Sequence, residues 1–282
     1  MMGQHTITKS LLKGYEQYLT TEERSAGTIE NYTRCVGEFG VWLGERELNK
    51  LTVTDWKAHL LRREYQSTTI NAKLAALNSF LRYMNREDCA IKYVRVQRKM
   101  FREEARHLTR QEYSRLVGQA RKAGKDQLAL LMESICATGI RVSEVKYLTV
   151  EAARRGAAVI SLKGKVRTIL IPAELCRRLL RFGKKNKIAS GELFRTRDGR
   201  SLSRKQIWAA MKKLCERAGV PESKVFPHNL RHLFAVAFYG ACKDIARLAD
   251  VLGHSSIETT RIYLLTTGEE QVRQLERLRL LC

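Results

Sequence analysis

The residues of this sequence able to act on a phosphate are histidines, two arginines, a pair of lysines and a tyrosine. His228, Arg231 and His232 fall within Pro227-His228-Asn229-Leu230-Arg231-His232; Leu252-Gly253-His254 follows, and Tyr263 comes nine residues after His254. Arg141 lies far upstream, behind Ala137-Thr138-Gly139-Ile140, and Lys163-Gly164-Lys165 sits between two short runs rich in β-branched residues. A phenol can attack phosphorus and hold it as a covalent phosphotyrosine. Charge building on the non-bridging oxygens is met best by paired guanidinium forks. A lysine or histidine can protonate the departing sugar oxygen, and another histidine can accept the tyrosine proton or orient the phosphate. Metal-dependent nucleases need clustered carboxylates instead. The acids nearby are Glu144 and Glu258, both placed for capping or support. The expected chemistry is displacement at a phosphodiester with no metal and no cofactor.

Local signals say how these side chains are aimed. Pro227 suits the first turn of a helix, where its missing N–H has no partner to lose, so His228 and Arg231, three apart, share a face. His232 takes the next helical position and is expected behind them as a supporting residue. Gly240 and Gly253 stand where helices of ordinary length end. Ser255 with Glu258 predicts a capping box that starts a helix just after His254, with Tyr263 about two turns in. His254 is then at a helix mouth, where amides and dipole favour an anion.

Upstream, the apolar run from Gln127 to Ala137 predicts a central buried helix, stopped by Thr138 and Gly139. Ser143 is expected to cap a short helix carrying Glu144, Val145 and Leu148, which leaves Arg141 pinned between two elements as an electrostatic clamp requires. Ala157 to Leu162 and Val166 to Ile171 predict a β-hairpin ended by Pro172. Its turn holds Lys163 and Lys165.

The chain has 282 residues, enough for two domains, and its 52 Lys+Arg against 29 Asp+Glu leave a formal charge of +23. Such an excess implies a polyanionic partner: nucleic acid, an anionic membrane surface or an acidic protein. No apolar run approaches the ~20 residues of a spanning helix, and residues 1–10 lack the apolar centre of a signal peptide, so a cytoplasmic protein is expected, at the nucleoid when bound. Seven scattered cysteines without a Cys-x-x-Cys pair read as reduced packing residues.

Residues 1–90 carry four amphipathic helical patterns with basic outer faces between the apolar stripes, where Lys73 is expected to contact nucleic acid. The second helix is predicted to start at Thr28, the third to be capped within Thr52 to Asp55, the fourth to begin at Ser67 or Thr68. Residues 91–107 lose periodicity while cations crowd together, Arg95, Arg98, Lys99 and Arg102 among them, as a linker lying along a phosphate backbone would. A second domain over 108–265 opens with a Thr109/Glu112 capping box. After a helix from Leu175 to Phe182, Lys184, Lys185 and Lys187 are expected in a solvated loop, and Glu192 to Phe194 in a short strand. Ser203 then starts an amphipathic helix with Lys205 and Lys212 facing out. Residues 266–282 form a last amphipathic stripe, Val272, Leu275, Leu278 and Leu281, that must dock on its own domain or on a neighbouring copy.

The box at 137–144, His228-Asn229-Leu230-Arg231-His232, Leu252-Gly253-His254 and Tyr263, taken in this order, resemble the signature of the tyrosine recombinase (phage integrase) family. The match spans the second domain, and the helical first domain resembles the family's SAM-like core-binding domain. The resemblance implies a mainly α fold with a small antiparallel β-sheet, in two domains that form a C-shaped clamp on duplex DNA. It implies Arg141 and Arg231 as the phosphate clamp, His228 and His254 as the box histidines, Tyr263 as nucleophile and Glu144 as support for the first arginine. Lys163 would be the general acid, with Lys165 two residues away as the rival, because this turn differs in length from the family's common form. The implied activity is site-specific DNA recombination through a 3′-phosphotyrosyl link, on double-stranded DNA with inverted-repeat core sites. The implied assembly is a dimer on a site and a tetramer in the synapse, with the C-terminal helix exchanged between protomers. The chain begins at the core-binding module, as in Xer-like or mobile-element members without an arm-binding domain. The rivals are a DNA-binding homologue without catalysis, which the filled boxes disfavour, and a type IB topoisomerase-like enzyme, which needs no protomer exchange. A membrane-surface protein would need exposed bulky apolar helix faces, whereas the apolar faces here are all needed for cores.

Overall fold

The computed structural model describes residues 7–95, 107–162, 165–254 and 256–264, together with 272, 276 and 277. The chain divides into two compact units, Met1–Arg98 and Lys99–Cys282. No helix among the described residues is long and apolar enough to cross a membrane.

Among its described residues the first unit has four α-helices, α1 Lys9–Thr21, α2 Ala26–Leu43, α3 Lys50–Arg62 and α4 Ser67–Tyr83, and a 3-10 turn Glu87–Cys89. Their stripes meet in a core containing Tyr15, Val36, Phe39, Trp56, Leu74, Leu77 and Phe80. The second helix starts two residues before Thr28, behind Ser25. The third is capped by Asn49, whose side chain accepts from the Thr52 N–H while the Thr52 hydroxyl serves the Asn49 N–H. Thr52 is thus the reciprocal partner of the cap, three residues inside the helix, and the helix begins earlier than its own side chain signals.

The second unit places α5 Arg110–Lys122 and α6 Asp126–Thr138 at its centre, with the Thr109/Glu112 capping box formed as the spacing predicts. Gly139 ends α6 at φ 64°, a left-handed conformation that glycine adopts without penalty. A 3-10 turn, Val142–Tyr147, follows, then α7 Val150–Arg155. The hairpin pairs β1 Ala157–Leu162 with β2 Lys165–Leu170, in register Leu162 with Lys165 and Ile160 with Arg167. The alternation turns Ala158, Ile160 and Ile169 into the core and leaves Val159, Val166 and Leu170 exposed.

Among the described residues, helices α8 Ala173–Lys185, α9 Arg204–Lys212, α10 Cys215–Ala218, α11 Pro227–Cys242, α12 Ile245–Leu252 and α13 Ile257–Arg261 follow, with 3-10 turns at Glu222–Lys224 and Ile262–Leu264. Three expectations give way here. Lys184 and Lys185 belong to the last turn of α8, where cations complement the helix dipole, and Lys185 pairs with Asp126 at 2.8 Å. Gly240 lies inside α11, which runs on to Cys242 before Lys243 takes the left-handed cap at φ 55°. Glu192 to Phe194 forms no strand, only a bridge from Thr149 to Glu192.

Candidate active site

The two arginines are held in different ways, each traceable to a helix end. Arg231 lies on the buried face of α11 with Leu230, His232 and Ala235. Its guanidinium donates to the Gly139 carbonyl at the end of α6 and, over 2.7 Å, to the Leu252 carbonyl at the end of α12. Both are carbonyls that a helix C-terminus leaves without an intrahelical partner, and a cation suits the negative end of the dipole. Arg231 is only 2% exposed, and burial, then the neighbouring Arg141 charge, lower its pKa to about 10. It stays cationic at neutral pH.

Arg141 instead keeps its side chain 39% exposed. Its Nη1 donates to Glu144 at 3.0 Å and its Nη2 to the Gly253 carbonyl at 3.2 Å. The short helix expected behind Ser143 is a 3-10 turn whose N-cap is Arg141 itself: the Glu144 carboxylate reaches back to the Arg141 N–H at 2.8 Å. Glu144 is 2% exposed. Burial pushes its pKa up, but the Arg141 N–H, the Arg167 charge and the hydrogen bonds of both arginines outweigh that, and the net direction is down. A buried carboxylate with this many donors stays ionised.

Three histidines surround Tyr263. Ring centroids lie 6.2 Å away for His228, 5.2 Å for His232 and 6.0 Å for His254, which is near parallel to the phenol at 15°. His254 Nε2 is 3.0 Å from Arg231 Nη2, and its Nδ1 is 2.9 Å from the Thr260 hydroxyl. Since arginine only donates, Nε2 is the acceptor and Nδ1 carries the proton. Burial and then the charges of Arg231, Arg141 and Arg167 lower the His254 pKa to about 4, and His228 is lowered by burial and by Arg231 and Arg141. His232, 6% exposed, meets Tyr263 edge-on and stacks on His107 at 4.1 Å.

Tyr263 is 3% exposed and packs with Ala235, Leu248 and Leu252. It sits in the 3-10 turn after α13, not two turns into a helix. The cap of α13 is Ser256, whose hydroxyl accepts from the Glu258 N–H at 3.2 Å; Ser255 lies outside the described residues. Glu258 pairs with Arg261 at 4.0 Å.

Arg141, Glu144, His228, Arg231, His232, His254 and Tyr263 therefore come together. Lys163, Arg98, Lys99 and Arg102 lie outside the described residues, and Lys165 is described only by its backbone. Arg95 and Lys205 are exposed. Lys73 is not on an outer face: it is 8% exposed and its Nζ is bonded to Glu38. Three residues after Ile70 and four before Leu77, it shares their buried side of α4, where α2 offers the carboxylate. Lys212 also departs from expectation, folding back onto the Glu222 carbonyl with its side chain 23% exposed.

Two further residues, His107 and Arg167, belong to the cluster. His107 closes the basic stretch before the second domain, and no spacing marks it. Arg167 donates from Nη2 to Glu144 Oε2 at 2.5 Å and from Nη1 to the Val251 carbonyl at 3.3 Å. Its signal was available: strand alternation places it on the side of Ile169, facing inward. Among the described residues no group of three or more His, Cys, Asp or Glu could hold a metal ion. What the site offers is guanidinium charge, imidazoles and a phenol.

The phage integrase family model matches residues 106–269, and the model of the phage integrase N-terminal SAM-like domain matches residues 12–88. The tyrosine recombinase XerA of Thermococcus kodakarensis is 30% identical over 281 residues, covering 96% of each chain. Among solved structures, the Tn1549 transposon integrase in complex with transposon right end DNA has the same fold at TM-score 0.72 and 16% identity, over 95% of this chain and 99% of that one. A lambda integrase tetramer bound to a Holliday junction has it at TM-score 0.69 and 16% identity, over 90% of this chain and 76% of that one.

Proposed function

The chain belongs to the phage integrase family and is a tyrosine-type site-specific DNA recombinase; from that premise we propose that Tyr263 attacks a DNA phosphorus and carries the strand as a 3′-phosphotyrosyl ester. The Tyr263 oxygen forms the new P–O bond, the bond to the 5′ oxygen breaks, and that oxygen takes a proton. Attack by the freed 5′ hydroxyl of another strand reverses the step and rejoins the DNA. Arg141, partly open to solvent, takes non-bridging oxygens, and Arg231 completes the fork from beneath. His228 accepts the phenolic proton. His254, neutral at physiological pH, orients Arg231 through Nε2 while Thr260 holds its Nδ1–H. Lys163 supplies the leaving-group proton, with Lys165 as the alternative. No metal and no cofactor takes part, because the guanidiniums meet the charge that divalent cations meet in metal nucleases.

The observation that carries this reading is the convergence of two guanidiniums and three imidazoles on one buried tyrosine. The DNA contacts include exposed Arg95 and Lys205 and the basic stretch with Arg98, Lys99 and Arg102. The sites are inverted repeats of duplex DNA in the cytoplasm, at the nucleoid in a bacterial cell, each bound by a dimer, with two dimers joined in a tetrameric synapse and residues 266–282 passed between protomers. The proposed receptor for that stripe is an open groove lined by Tyr113, Cys136, Leu175, Leu233 and Phe234, with charged Arg110, Glu133, Glu174 and Arg178 beside them.

The test is footprinting on genomic DNA to recover a site, then incubation with a nicked duplex of that site, with and without chelator. A denaturant-resistant adduct mapping to Tyr263 and formed equally in chelator is expected. An adduct on another residue, or a strict metal requirement, would refute the mechanism.

A further inference from the structure

We propose that Arg167 is a positioning residue that locks the first arginine and the Gly253-His254 turn into one register, a role that rests on the recombinase reading above. The Glu144 carboxylate serves Arg141 through its N–H at 2.8 Å and through Nη1 at 3.0 Å, and it serves Arg167 Nη2 at 2.5 Å. Arg167 Nη1 reaches on to the Val251 carbonyl at 3.3 Å. A single guanidinium therefore ties the element that carries Arg141 to the end of α12, whose next residues are Leu252, Gly253 and His254.

The contact is also steric. Gly253 has φ 62°, and a Cβ built there would lie 2.5 Å from Arg167 Cδ and 2.6 Å from its Nη1. The turn lies directly on the Arg167 side chain, and only glycine permits that approach. Arg141 closes the loop by donating to the Gly253 carbonyl at 3.2 Å. Arg167, Glu144, Arg141 and the 251–253 backbone thus form a ring in which moving one member moves the others. Arg167 sits on β2, which begins two residues after Lys163, so the ring also anchors the strand next to the lysine turn. Its side chain is 17% exposed, and its Nε–H, buried, has no hydrogen-bond partner. With both terminal nitrogens bonded into the ring, it acts through the groups that would touch phosphate.

Lysine keeps the charge but cannot span Glu144 and the Val251 carbonyl with a planar fork. A shift of about 1 Å in reacting groups costs on the order of 100-fold in rate. Full-length Arg167→Ala, Arg167→Gln and Arg167→Lys proteins are compared with the parent in three measurements: affinity for the footprinted duplex, single-turnover adduct formation on its nicked form, and NMR titration of the His254 ring without DNA.

The alanine and glutamine variants should bind within about threefold of the parent and form adduct about 100-fold more slowly. Their His254 should titrate nearer the ordinary imidazole value, because a charge that depresses it is gone. The lysine variant should recover part of the rate and leave the titration low. If alanine prevents folding, the glutamine and lysine variants decide. Rates within about threefold of the parent in the neutral variants, or an unmoved His254 titration in them, would overturn the role. A parent that forms no adduct would instead sink the recombinase mechanism and leave the Arg167 ring unchallenged as geometry.

Discussion

Replacing Glu144 by glutamine keeps the shape of a 2%-exposed side chain and removes its charge. The carboxylate accepts the Arg141 N–H, Arg141 Nη1 and Arg167 Nη2. The amide must turn its NH2 toward the Arg141 fork or toward the Arg141 N–H and Arg167, leaving donor facing donor at a buried position. Breaking a buried pair by removing one partner costs about 3–5 kcal/mol, a large part of the ~5–15 kcal/mol that stabilises a typical domain. At about 2–4 °C per kcal/mol for a unit of this size, the transition of the second unit should fall by roughly 6–20 °C. Differential scanning calorimetry at pH 7 follows the two units as separate transitions if they unfold independently, and only the second should move. Below its melting point the variant should also cleave slowly, because Arg141 loses the acceptor for either its backbone N–H or its fork. A Glu144→Gln protein whose second transition stays within about 2 °C of the parent would refute the claim that this carboxylate is a shared anchor.

Gly139→Ala meets two penalties at once. Its φ of 64° costs an L-residue about 1–2 kcal/mol, and the new methyl would lie 2.5 Å from Phe234 Cδ1, overpacking worth about 1–3 kcal/mol; denaturant titration should show a loss of about 2–5 kcal/mol. His254 titrates near 4 when folded against an ordinary 6.5, so the unfolded chain binds the proton first and stability falls as pH drops from about 6.5 to about 4. At about 1.4 kcal/mol per pH unit the loss from this group is at most ~3.5 kcal/mol, and His254→Phe should flatten that slope. Lys163→Ala and Lys165→Ala, compared on a duplex with a sulfur leaving group at the scissile 5′ position, should separate: only loss of the general acid is rescued, since a thiolate departs without a proton.

The helices and the cluster were legible in residue order to different depths. Pro227, Gly139, Gly253 and the Thr109/Glu112 box act locally, through φ or a cap three residues away, so their spacing sufficed. Arg141, Arg231, His254 and Tyr263 were recognisable because several boxes occurred in one order, not because any one of them is distinctive. The misreadings share a cause. Thr52 and Ser143 have capping chemistry, but Asn49 and Arg141 hold the caps, since two neighbouring candidates compete and tertiary contacts choose. Gly240 can end a helix, but nothing requires it to when Lys243 takes the cap. Lys73 was assigned by charge to a surface that its own helical phase contradicts. Arg167 was invisible as a site residue because its partners, Glu144 and the Val251 carbonyl, are 23 and 84 residues away in sequence. No local pattern encodes a contact of that range.

The central claim is that the buried phenol of Tyr263 is the nucleophile. Tyr263→Phe removes one oxygen and keeps the ring packed against Ala235, Leu248 and Leu252, so fold and DNA affinity should be those of the parent. Incubated with the nicked site duplex and denatured, the parent should leave protein covalently joined to DNA and the phenylalanine variant none. A denaturant-resistant adduct from Tyr263→Phe would contradict the account.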